Sequence, residues 1–151
     1  MDSSTLIGLV LLFLFIGPII YIIYNQNKNE RLLNKKAKEF DLKPVLTDFT
    51  PTLLIGLDTK KNKLIVIATK NRETNLIFLA DVVQCEIGTI NEPDRPGKLN
   101  RINLLLIFRT KDVKPLEIIF HDDDYDINSE AEEQLQIARK WEKIIRRQLS
   151  V

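Results

Sequence analysis

An α+β fold is predicted, with a membrane-spanning helix at the N-terminus followed by an antiparallel sheet or barrel closed by a C-terminal amphipathic helix. Three observations predict it. Thr5–Tyr24 runs for twenty residues without a charge. From Val45 to His121 short apolar runs alternate with polar turns, the pattern of strands. From Ser129 onward the apolar residues recur at helical spacing. The expected parts are residues 1–24 as a membrane anchor, 25–44 as a basic juxtamembrane helix and linker, and 45–151 as a cytoplasmic domain.

The anchor reads "TLIGLVLLFLFIGPIIYIIY". A helix of that length spans about 30 Å, the thickness of a hydrocarbon core. Leu6, Leu12 and Phe15 are its lipid-facing body, and Tyr21 and Tyr24 stand where amphipathic rings meet the headgroups. Pro18 lacks an N–H for the preceding turn and is expected to kink the helix. A cleaved signal is disfavoured, because "MDSS" has no basic residue and no small-residue cleavage site follows the apolar run. Lys and Arg cluster after this segment and are absent before it, so the N-terminus is expected outside and the rest in the cytoplasm.

The segment "RLLNKKAKEF" (Arg31–Phe40) places Leu33, Ala37 and Phe40 at i, i+4 and i+7, a short amphipathic helix continuing from the anchor. Its cations, Lys28, Arg31, Lys35, Lys36 and Lys38, serve as topology determinants. They also offer a contact for anionic lipid, diluted by Glu30, Glu39 and Asp41. Pro44 disfavours helix at Lys43 and ends the segment.

In the domain, "TLLIGLD" and "KLIVIAT" flank "TKKN" and make a hairpin, and "NLIFLA" and "DVVQCEIGTI" follow. Val83, Cys85 and Ile87 alternate with Gln84 and Glu86, so those three are expected on the buried face. "NEPDRPGKLN" (Asn91–Asn100) reads as a surface loop, then "RINLLLIFRT" and "KPLEIIFH" as strands. Six strands are clear; either Val45–Phe49 supplies another, or a long strand bends across both sheets. In the last segment Ser129 and Glu132 fit a capping box. Ala131, Leu135, Ala138, Trp141, Ile145 and Leu149 form a stripe, widened by Ile137 and Ile144, that needs a sheet to cover.

Antiparallel strands followed by one amphipathic helix resemble a bacterial pleckstrin-homology-like (PH-like) domain, here on a single-pass anchor. "LIGLDTKKNKLIVI" is similar to the first hairpin of such domains, and "FLADVVQCEI" to the strand after a short turn. The resemblance covers about Leu53–Leu149 and rests on pattern. It implies a seven-stranded barrel plugged by the last helix, and a role in binding rather than catalysis.

No enzyme chemistry is expected. Cys85 sits in an apolar alternation and reads as a small buried hydrophobe, His121 has no partner predictable from sequence, and phosphate-loop, CxxC and HExxH motifs are lacking. The segment His121–Glu133 echoes a calcium loop, with Asp122, Asp124, Asp126, Asn128 and Glu133 at ligand spacing. Ile127 stands where a glycine is needed, so no metal is expected. No cofactor is expected either, and a net charge of +1 without interleaved aromatics argues against nucleic acid.

The function expected is that of an adaptor or assembly subunit, binding a protein partner or a second copy at the membrane. The alternative is a sensor of anionic lipid headgroups through Lys28, Arg31, Lys35 and Lys36 together with Lys60, Lys61 and Lys63 of the first hairpin. For a protein partner the contact residues expected are Leu104, Leu105, Leu106 and Ile107. Neighbours on a strand face opposite sides, so these four do not share one core.

Overall fold

One uninterrupted helix, α1 (Ser3–Glu39), joins the apolar N-terminal run to the basic segment beyond it. The computed structural model describes residues 2–124 and 131–149, the side chain of Pro96 apart. The first half of α1 is apolar around its whole circumference. Its most hydrophobic stretch is long and apolar enough to cross a membrane, and none of it is buried against protein. Leu6, Leu12, Phe15, Tyr21 and Tyr24 are all exposed. The helix continues through Pro18.

The far end of α1 stops by a Schellman arrangement. Asp41 adopts φ 54°, and the Leu42 N–H donates to the Ala37 carbonyl at 2.8 Å while the Asp41 N–H donates to the Lys38 carbonyl at 3.1 Å. The reversal folds Leu42 back beside Leu33 and Ala37 in one buried apolar cluster. The expected third member of that face, Phe40, is instead 41% exposed. The helix has already ended at Glu39, so the i+7 position no longer lies on its face.

Seven strands follow among the described residues: β1 (Leu46–Phe49), β2 (Leu53–Asp58), β3 (Lys63–Ala68), β4 (Thr74–Phe78), β5 (Val82–Glu92), β6 (Arg95–Phe108) and β7 (Leu116–Asp122). They pair antiparallel as two sheets, β1-β2-β3-β4 and β5-β6-β7, linked by a 3-10 turn at Leu79–Asp81. The pairings do not close into one barrel. Val45–Phe49 does supply the strand missing from the sequence count, as β1.

The central strands of the first sheet, β2 and β3, are buried on both faces, which explains why "LLIGL" and "LIVI" show no alternation. Leu53, Ile55, Leu57, Leu64 and Val66 point into the main core; Leu54, Ile65 and Ile67 point the other way, onto Leu33 and Ala37 of α1. Gly56 permits that approach, since a Cβ there would stand 3.1 Å from the Pro44 side chain and 3.4 Å from Leu33.

In the second sheet the expected burial needs two corrections. A bulge between Val82 and Gln84 breaks the alternation, so Val82 takes the core position and Val83 is 50% exposed; Cys85 remains buried and Ile87 half-buried. The Asn91–Asn100 "loop" is largely a paired ribbon, with Asn91 opposite Leu99 and Glu92 opposite Arg95. Its glycine, Gly97 at φ 91°, lies beside the register shifts, where a paired strand tolerates such residues.

Helix α2 (Ala131–Leu149) lays Leu135, Ala138, Trp141 and Ile145 into the core between the sheets. Trp141 is fully buried, and its indole N–H donates to Asp48 Oδ2 of β1 at 2.8 Å, an oxygen that also accepts from Lys140 Nζ at 2.8 Å. The last helix is thereby tied to the first strand. Arg146 Nε donates to the Cys85 carbonyl at 3.1 Å, occupying a main-chain acceptor on the edge strand β5. The capping residue Ser129 and the calcium-loop positions Asp126, Ile127 and Asn128 lie outside the described residues.

Candidate functional site

Among the described residues a dense set of polar contacts joins the end of α1 to the first sheet, and Asp58 organises it. This carboxylate is buried at the end of β2. Its Oδ2 accepts the Lys43 N–H at 2.9 Å, and its Oδ1 accepts the Lys60 and Lys61 N–H groups at 3.0 Å each. Those three backbone donors hold its carboxyl below the usual range, the Lys43 N–H foremost. Lys61 then reaches back across the junction. Its Nζ bonds the Asp41 carbonyl and pairs with Asp41 Oδ2 at 2.7 Å, which lowers the Asp41 pKa as well. Asp41 holds the left-handed backbone conformation at a place where glycine is usual.

This junction separates the lysines grouped by the lipid expectation. Counting from Tyr24 at a rise of about 1.5 Å per residue, Lys28 lies about 6 Å and Arg31 about 10 Å along the helix. Lys35 and Lys36 lie about 16 and 18 Å along it, and Asp41 about 25 Å. Since Lys61 is bound to Asp41, the β2–β3 turn with Lys60, Lys61 and Lys63 stands at the end of the domain remote from the anchor. Lys63 is also engaged, its Nζ 4.6 Å above the Phe78 ring, and Lys36 pairs with Glu39 at 3.3 Å. The two basic groups are therefore not one surface. Arg31, Lys35 and Lys38 do share a face of α1, with Asn34 and Glu39, opposite the one that packs on the sheet.

The four apolar residues of β6 divide by strand alternation. Leu104 and Leu106 are fully buried in the main core, where no partner reaches them. Leu105 and Ile107 point to the other side of the second sheet and are half-buried. Ile119 of β7 shares that side, and the rim is polar: Leu105 lies opposite Glu86 and Glu117, Ile107 opposite Gln84, and Ile119 opposite Asn103. Unlike the first sheet, this outer face carries no packed helix among the described residues.

A groove of about 280 Å³ runs between the edge of β7 and the ends of β2, β3 and β4. Leu53, Val66 and Ile118 form its floor, and Lys70, Glu73, Glu117 and Asp122 stand among its polar walls. Thr52 Oγ1 bridges the two sheets there, donating to the Ile119 carbonyl at 2.8 Å.

The residues considered for catalysis have structural surroundings. Burial pushes the Cys85 thiol up to about 12, helped by Glu142 and Glu86 and opposed by Arg146, so a thiolate does not form near neutral pH. His121 is buried, with Nε2 2.8 Å from Asp123 Oδ1. Among the described residues no three His, Cys, Asp or Glu side chains cluster at metal-binding distance.

Sequence reasoning missed Asp58 and Asp48. Asp58 had a local signal, an Asp at the start of a short polar turn, which caps its own backbone. Asp48 had none, because its partner Trp141 is 93 residues away. No protein-family model, no curated protein and no solved structure matches this chain, so the functional reading rests on this geometry.

Proposed function

We propose that the chain is a membrane-anchored interaction module with a PH-like cytoplasmic domain, acting as an adaptor or assembly subunit that presents the outer face of its second sheet to a protein partner in the same membrane. The PH-like reading is supported by the strand arrangement, four followed by three, all antiparallel, with one helix filling the space between the sheets. The single observation that carries the interaction reading is the asymmetry of the two sheets. The first sheet is covered on its outer side by α1; the second offers Leu105, Ile107 and Ile119 within a polar rim. An apolar centre with a polar rim is the usual anatomy of a protein contact.

A photo-crosslinking residue introduced in the intact membrane protein tests this. Placed at Leu105 or Ile107, it should give a discrete crosslinked product, identified by mass spectrometry as another protein or a second copy. Placed at Lys60, it should not. Absence of a product at both apolar positions, or equal products at Lys60, would reject the assignment of this face.

A further inference from the structure

The geometry points to the β3–β4 turn, Thr69–Glu73, as the surface by which the domain rests on the headgroups of its own anchor's bilayer. This rests on α1 crossing the membrane, and it follows from how the first sheet runs along that helix. Two contacts fix the direction. Near the end of α1, Asp41 holds Lys61. Eight residues earlier, Leu33 packs over Gly56 and in one cluster with Ile65. The helical step from Asp41 back to Leu33 is about 12 Å, and on the sheet Ile65 lies two strand residues, about 7 Å, beyond Lys63, past the turn that holds Lys61. Helix and strands therefore run side by side, and β3 heads back toward the membrane as it leaves the β2–β3 turn.

The same arithmetic places the opposite turn. Leu33 lies about 13 Å beyond Tyr24 along α1, and Ala68, the last residue of β3, lies three strand residues beyond Ile65, about 10 Å in the reverse direction. The turn extends beyond Ala68 in that direction, so its tip comes near the level of Tyr24. The composition suits a headgroup layer and not the hydrocarbon below it: Lys70, Asn71, Arg72 and Glu73 are exposed and polar. Arg72, at φ 56°, closes the reversal just before Glu73, whose carbonyl accepts the Ala68 N–H. Its side of the domain, with Lys28 and Arg31 on the adjoining helix, is where anionic phospholipid meets basic side chains. The hairpin lysines have the wrong end of the molecule for that contact.

Depth-dependent quenching tests the placement with the full chain in phosphatidylcholine–phosphatidylglycerol vesicles. Fluorophores go on single introduced cysteines at Arg72, Lys60 and Leu12, the native Cys85 being buried and slow to react. A quencher at headgroup level should strongly reduce the Arg72 signal and leave the Lys60 signal unchanged, and an acyl-chain quencher should reduce the Leu12 signal. Quenching at Leu12 with none at Arg72, or with more at Lys60 than at Arg72, would overturn the proposal while leaving the anchor intact. No quenching at Leu12 would remove the anchor, and the proposal with it.

Discussion

Asp58 shows how much one side chain decides in this protein. Its two oxygens take N–H groups from the linker after α1 and from the β2–β3 turn, so a single carboxylate fixes where the anchor leaves the domain. Asp58→Asn keeps the shape but turns an N–H₂ toward at least one of these donors. The loss of charge-assisted bonds to a buried group should cost about 1–3 kcal/mol. The pH dependence has a definite sign. Because the folded state lowers the carboxyl below its ordinary value of 3.8, its contribution is complete above that value and is lost as pH falls through the lower folded value. Thermal melts of the full chain in detergent should therefore show a gap between wild type and Asp58→Asn that is constant near neutrality and shrinks in acid. A gap that widened in acid would show that the carboxylate is not the stabilising form.

At the scale of elements, α1 does two jobs with one run of residues, and the change occurs between Tyr24 and Leu33. The i, i+4 pair Leu33 and Ala37 was legible in the sequence, as was the stripe of α2, because helical periodicity is local. The surface that Leu33 and Ala37 cover was not legible. Leu54, Ile65 and Ile67 lie in strands buried on both faces, and such runs carry no alternation to say which neighbour each side chain meets. The bulge at Val83 was hidden for a similar reason: two adjacent valines fit either register, and only the pairing with β6 decides between them. Placing a carboxylate at Leu33 should detach the helix from the sheet without entering the main core. Leu33→Asp is expected to speed tryptic cleavage at Lys35, Lys36 and Lys38 by an order of magnitude or more, while the near-ultraviolet signal of Trp141 persists. Unchanged cleavage would mean that the contact contributes little to the junction.

At the scale of the whole molecule, the continuous helix makes the sheets an extension of the apolar N-terminal segment rather than a bead on a flexible string. The first sheet packs on that helix through Leu54, Ile65 and Ile67, the basic hairpin lies at the far end from Tyr24, and the outer face of the second sheet carries no helix among the described residues. The long apolar helix was the clearest feature of the sequence, since twenty uncharged residues need no tertiary context. The division of the lysines into near and far groups was not legible, because it depends on which sheet packs on α1. The candidate contact residues were half legible: alternation separates Leu104 and Leu106 from Leu105 and Ile107, and only the packing tells which pair is inside.

The central claim, an anchored domain on the cytoplasmic side, is tested most directly by cysteine accessibility in intact cells. Cysteines at Ser3 and at Asp94, on the tip of the β5–β6 ribbon, are compared with a membrane-impermeant thiol reagent; the buried Cys85 supplies a silent background. The account predicts that Ser3→Cys is labelled at once and that Asp94→Cys is labelled only after the membrane is permeabilised. Labelling of Asp94→Cys in intact cells, with Ser3→Cys protected, would contradict it.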